Sequence, residues 1–233
     1  MRSLFHTIMG KGASAPAYPA SLKNFIDPGN PASYSGSGTT VVDLTGTQNG
    51  TLINGVGYSA ANGGVFVFDG INDYIDFTTN SAIQPNAART ISTWVFVELI
   101  GGNAMIYCGG DMVTQFKTVS TFHVNFANYL ALGSDTATQY LTPGPMAKGA
   151  WINVTARFNG TTMQLYYNNV LQATAAQTVI PTTSSTVSVK LGAYNGVGYY
   201  LQGKIGVHKV YDEYRSTTDM TADFNEFKAR YGY

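Results

Sequence analysis

Few side chains here could do covalent chemistry, and their spacing decides how much of it is open to them. The three glutamates stand at 98, 213 and 226, and no two share a strand. Asp73 and Asp76 are three apart, so on an extended strand they would face opposite sides of the sheet. Catalysis by two carboxylates needs both groups to converge on one bond, and no such pair is visible. His6, His123 and His208 are scattered without metal-ligand spacing. His123 alternates between Phe122 and Val124, and His208 between Val207 and Lys209, so both read as ordinary strand residues. Cys108, after Ile106-Tyr107, reads as a small core hydrophobe. No Gly-x-Ser-x-Gly elbow, phosphate loop or dinucleotide fingerprint occurs. The expectation is a protein that is not an enzyme.

Two clusters could bind a ligand instead. Asp69, Asn72 and Asp73 offer oxygens to Ca²⁺, which takes about six to eight. The same side chains can hydrogen-bond their own backbone in a tight loop. Two carboxylates and an amide are too few without a second loop, so turn chemistry is the expectation, with no metal or other cofactor. The segment Tyr194-Asn195-Gly196-Val197-Gly198-Tyr199-Tyr200 places Tyr194, Asn195, Tyr199 and Tyr200 together as candidate sugar contacts. Tyrosine faces can stack on pyranose rings, amides can bond their hydroxyls, and glycines admit a close approach. The alternative is a Gly-rich hairpin whose tyrosines pack on the sheet or at a subunit contact.

Composition narrows the partners. Charged residues are 11% of the 233, well below the roughly 25% usual in soluble domains, so polarity rests on hydroxyls, amides and 16 tyrosines. Thirteen basic residues cancel thirteen acidic ones, which argues against nucleic acid or an anionic membrane as partner. Little repulsion then separates copies, as suits a homo-oligomer or a multicopy component of an assembly. The lone cysteine forms no internal disulfide, and Met1–Gly12 is far short of a signal-peptide core, so synthesis in a cytoplasm without export is expected.

These groups must be positioned by strands. Val65–Phe77 holds two apolar runs around Asp69–Asp73 and reads as a β-hairpin. Leu22–Ile26, Thr39–Leu44 and Thr51–Ile53 are further short runs. Ile91–Val97 is apolar on both faces, with Ile91, Thr93, Val95 and Val97 opposite Trp94 and Phe96, and reads as buried between layers. Trp151–Leu171 alternates through turns at Asn159-Gly160 and Asn168-Asn169. Val187–Leu191 and Ile205–Lys209 complete the set. One short helix is expected after a Ser216-Thr217-Thr218-Asp219 cap, with Met220, Phe224, Phe227 and Tyr231 at helical spacing. The fold class is all-β, an antiparallel two-sheet jelly-roll sandwich with a C-terminal helix. Residues 1–20 form an arm rich in small residues, Pro and Gly, whose Leu4, Phe5, Ile8 and Met9 could anchor it on a neighbouring subunit or simply fray. Residues 21–233 form the domain.

Four blocks carry a resemblance. They are Phe68-Asp69-Gly70-Ile71-Asn72-Asp73-Tyr74-Ile75, Thr90-Ile91-Ser92-Thr93-Trp94-Val95, Trp151–Asn169, and Leu191-Gly192-Ala193-Tyr194 with Leu201–Tyr211. In this order they resemble the concanavalin A-like, laminin-G-like jelly-roll family. With Asp27-Pro28-Gly29-Asn30 and the closing Phe224–Tyr233, the chain is similar to lectin-like domains of tailed-phage structural proteins. The resemblance implies a virion component in capsid decoration, tail or fibre, partnered by other virion proteins and by cell-surface glycans. A carbohydrate-binding lectin for host attachment is the alternative. The Glu-x-Asp-x-Glu strand of the family's glucanases and the metal-ligand run of its legume lectins are both absent.

Overall fold

The computed structural model describes residues 18–80, 88–98, 104–109, 120–124, 130–134, 139–141, 146–176, 187–194 and 198–233. In chain order the strands are β1 (Leu22–Ile26), β2 (Thr40–Val41), β3 (Gly50–Ile53), β4 (Gly57–Ser59), β5 (Val65–Asp69), β6 (Tyr74–Asn80), β7 (Arg89–Val97) and β8 (Ala104–Gly109). They continue with β9 (Ser120–Val124), β10 (Leu130–Ser134), β11 (Gln139–Leu141), β12 (Trp151–Phe158), β13 (Thr162–Tyr167), β14 (Val170–Ala176), β15 (Val187–Leu191) and β16 (Gln202–Tyr211). Helix α1 (Thr217–Phe227) and a 3-10 turn over Lys228–Tyr231 follow.

Among the described residues, two antiparallel eight-stranded sheets result. Sheet A runs β14-β13-β12-β7-β16-β5-β4, with β1 also paired to β16, and sheet B runs β11-β10-β9-β8-β15-β6-β3-β2. Alternation puts Phe66, Phe68, Ile91, Val95, Val154 and Ile205 of sheet A against Ile75, Phe77, Ile106, Val189 and Leu191 of sheet B in one apolar core. The expected jelly-roll sandwich is the fold observed. Strand β7 is apolar on both sides, as its sequence requires, because a second layer lies over its outer face.

That layer is the C-terminal segment. Ser216 caps α1 by accepting the Asp219 N–H at 3.1 Å. Trp94 then stacks on Phe224 and Tyr231, at centroid distances of 5.5 and 4.4 Å. The Tyr231 hydroxyl accepts the Val207 N–H at 2.9 Å. Gly206 allows this approach, since a Cβ there would lie 2.0 Å from the Tyr231 hydroxyl. Lys209 bridges Asp223 at 3.1 Å and Glu226 at 2.7 Å. Arg215 meets Asp223 at 3.1 Å and lies over the Tyr211 ring. The turns expected in Trp151–Leu171 form as well. Asn159 Oδ1 accepts the Thr162 N–H at 2.8 Å, and Asn168 and Asn169 take the paired left-handed conformations of a type I′ turn.

One element differs from its sequence reading. Val65–Phe77 is no hairpin, because β5 belongs to sheet A and β6 to sheet B. Phe66 and Phe68 face inward from one sheet, and Ile75 and Phe77 from the other. Side-by-side pairing would put these residues in one layer, whereas crossing the sandwich buries them against each other. The link Gly70–Asp73 is long enough, since four residues can span about 13 Å and sheets stack about 10 Å apart.

His208 is fully enclosed between the sheets. Its Nδ1 lies 2.8 Å from Thr93 Oγ1, and its ring stacks with that of Tyr107. Burial lowers its pKa to about 3, so the imidazole is neutral. No helix among the described residues is long and apolar enough to cross a membrane.

Candidate functional site

The strand register of sheet B builds a polar row on its outer face. Thr40 pairs with Thr51, Thr51 with Asp76, and Asp76 with Lys190. Backbone pairing carries the same row through positions 108, 121, 133 and 140. One residue along, Leu52, Ile75 and Leu191 form the matching inward row. Alternation on β6 therefore turns Tyr74 and Asp76 outward while Ile75 and Phe77 fill the core.

Lys190 donates to Asp76 Oδ1, and the two form an ion pair with side chains 10% and 22% exposed. The Lys190 ammonium also lies 6.0 Å from the centre of the Tyr74 ring. Burial, then the charge of Asp76 and the neighbouring Tyr200, raise the Tyr74 phenol pKa. Tyr74, Asp76, Lys190 and Tyr200 are thus one neighbourhood.

Leu191 pairs with Ile75, so the chain leaves sheet B at Gly192, beside Tyr74. Gly192 has φ +87°, and a Cβ there would fall 2.6 Å from the Phe68 ring, so only glycine fits. The loop beyond it is tied down by Leu201 N–H to the Gly192 carbonyl at 2.8 Å and Met105 N–H to the Tyr199 carbonyl at 2.7 Å. Within it the Tyr194 N–H donates to the Gly198 carbonyl at 2.8 Å. The Tyr194 and Tyr199 rings meet edge to face at 5.2 Å, and Tyr199 is 47% exposed. It is held at φ +52°, a left-handed conformation uncommon for tyrosine.

The other predicted cluster lies at the same end of the sandwich, because Asp69 pairs with Gln202, two residues past Tyr200. Its two aspartate side chains are engaged with the backbone. Asp69 Oδ1 accepts the Ile71 N–H at 2.8 Å, and Asp73 Oδ2 accepts the Asp69 N–H at 3.1 Å. The Asn72 carbonyl accepts from Asn54 Nδ2 at 2.9 Å. Burial, with the Asp69 carboxylate beside it, raises the Asp73 pKa, and the Asp69 N–H opposes that shift. Ile71, at the tip, is 70% exposed. Among the described residues, no three His, Cys, Asp or Glu side chains could hold a metal ion together.

The three glutamates are spread over the molecule, each against a cation: Glu98 on Lys204, Glu213 on Arg215 and Glu226 on Lys209. Leu4, Phe5, Ile8, Met9, His6 and Asn195 lie outside the described residues, as do the side chains of Cys108 and His123. Sequence reasoning singled out Tyr194, Tyr199 and Tyr200 but missed Tyr74 and Lys190, and weighed Asp76 only as a catalytic acid. The signal was local: each of the three sits in strand alternation with core residues, where an outward polar side chain stands out.

The profile of a family described as the concanavalin A-like lectin/glucanases superfamily matches residues 69–220. No curated protein matches the chain by sequence. Among solved structures, Trypanosoma rangeli sialidase matches at TM-score 0.71 and 13% identity, over 95% of this chain and 35% of that one. This chain thus spans about a third of the sialidase. Domain 4 of AbnA, a GH43 extracellular arabinanase of Geobacillus stearothermophilus solved with arabinotriose, matches at TM-score 0.66 and 16% identity, over 88% of this chain and 98% of that one. The receptor binding domain of botulinum neurotoxin C/D mosaic serotype matches at TM-score 0.66 and 13% identity, over 88% and 51%. At these identities the likeness is one of fold.

Proposed function

The chain belongs to the concanavalin A-like lectin/glucanases superfamily, and from that premise we propose that it is a non-enzymatic module binding a neutral glycan at the outer face and rim of sheet B. The observation that carries this reading is Tyr74 and Tyr200 beside the Asp76–Lys190 pair, with the Tyr194–Tyr199 ring contact in the same loop as Tyr200. Aromatic faces with a few convergent polar groups are what a polyhydroxylated ligand needs. Catalysis is not part of the proposal, since Asp76 is matched to a lysine and not to a second carboxylate. The test is a glycan array probed with the wild-type chain, Tyr199→Ala and Tyr200→Ala. Reproducible binding that falls at least tenfold in either variant is expected. An array with no binding, or binding indifferent to both changes, ends the reading.

A virion of a tailed phage, with the module presented in many copies by protein contacts, is the setting we propose from the sequence resemblance. It is favoured by β14, an edge strand of sheet A, which carries no charged residue and exposes Val170 at 60% and Leu171 at 48%. Cryo-electron microscopy of intact particles would place the protein in the capsid or tail, and its absence from particles would exclude this setting.

A further inference from the structure

Lys190 and Asp76 hold more hydrogen-bonding capacity than they use. An ammonium has three donors, and a carboxylate has two oxygens that each accept more than one bond. Lys190 donates to Asp76 Oδ1, and among the described residues neither its other two donors nor Asp76 Oδ2 has a partner. Its side chain is nine-tenths buried, and buried charges ordinarily have their bonds filled. The pair sits on the outer polar row of sheet B, where Asp76 pairs with Thr51 and Tyr74 lies two residues along β6.

We propose that Asp76 and Lys190 together form a clamp for a vicinal diol, which sets this site's specificity for neutral sugars; the proposal rests on the glycan reading above. Asp76 Oδ2 accepts a hydrogen bond from one hydroxyl, and Lys190 donates to the oxygen of its neighbour. The two protein groups are held within hydrogen-bond contact, a spacing that matches adjacent gauche hydroxyls on a pyranose ring. Tyr74 flanks the pair as an apolar wall. The pair is neutral as a unit, so a sialic acid or uronic acid carboxylate gains no free cation and meets Asp76. The clamp therefore selects against acidic sugars.

The test is calorimetric titration of the full chain with methyl glycosides of glucose, galactose and mannose, their monodeoxy derivatives, and methyl sialoside. Wild-type protein should bind at least one neutral glycoside and lose at least tenfold when either hydroxyl of one vicinal pair is removed. Methyl sialoside should bind no better than that deoxy sugar. Asp76→Asn and Lys190→Met should each weaken the parent sugar at least tenfold and abolish the deoxy penalty at the hydroxyl they served. The double variant Asp76→Asn/Lys190→Met leaves no uncompensated charge, so it serves if a single variant fails to fold. If the folded double variant binds like wild type while Tyr199→Ala does not, the clamp is wrong and the glycan reading survives. If wild type binds no neutral glycoside, the clamp falls together with the glycan reading.

Discussion

The two outer faces of the sandwich come from the same kind of strand and are finished in opposite ways. On sheet A, Trp94 disappears under Phe224 and Tyr231, and Lys209 and Arg215 are matched by Asp223, Glu213 and Glu226. The chain's own C-terminus fills that face. On sheet B, among the described residues, Lys190 and Asp76 are hydrogen-bonded only to each other, with the Tyr74 ring near the ammonium, and tyrosines gather at the rim beside them. A face covered by the protein itself contributes stability. A face left with unspent hydrogen bonds and accessible rings is available to something else.

Substitutions can break or sharpen this contrast. The largest effect is expected on the covered face, where Trp94→Ala should cost about 3–5 kcal/mol in urea denaturation. A loss below about 1 kcal/mol would mean that the helix merely rests on sheet A. Acid comes next, acting on the interior that both faces share. The unfolded chain protonates His208 near 6.5, whereas the fold holds it neutral down to about 3. Stability is therefore full above that window and declines as pH falls through it, by a few kcal/mol near pH 3. Around the ring stand Thr93, Tyr107 and, near Tyr107, the buried Arg89, none of them a carboxylate that could offset the proton. Replacing His208 by Gln should flatten the pH profile measured by urea denaturation, and an unchanged slope would exclude this residue as its source. The smallest effect belongs to the rim: Tyr199→Ala should change stability by no more than about 0.5 kcal/mol while weakening glycan binding. A large loss of stability would move Tyr199 to the structural side of the comparison.

Much of the scaffold was legible because its signals are local. Ser216 and Asp219 mark a helix start within four residues, and Asn159-Gly160 and Asn168-Asn169 mark turns that the intervening alternation confirms. Val65–Phe77 was misread because Gly70–Asp73 suits both a hairpin and a crossing. Only the inward partners of Phe68 and Ile75 decide between them, and those come from distant parts of the chain. The same holds for the candidate site. The tyrosines of 194–200 are a local cluster and could be named, whereas Asp76 and Lys190 are 114 residues apart and meet only through the pairing of β6 with β15. His208 looked ordinary because its neighbours Val207 and Lys209 do not reveal the shift in register between Ile205 and His208 that sets its place between the sheets.

Strand β16 has a consequence for biosynthesis. It lies near the middle of sheet A, with β7 on one side and β5 and β1 sharing the other. All three partners leave the ribosome before it, β1 by some 180 residues of translation. Until β16 emerges, the nascent chain carries Leu22–Ile26, Val65–Asp69 and Arg89–Val97 without their central partner, each an apolar edge open to pairing with other chains. Sheet A is thus completed only once residues 202–211 have been made, and residues 217–231 close over Trp94 only after that. Translation halted before Gln202 would leave a chain suited to aggregation, so the yield of native protein should depend on chaperone supply until β16 has emerged.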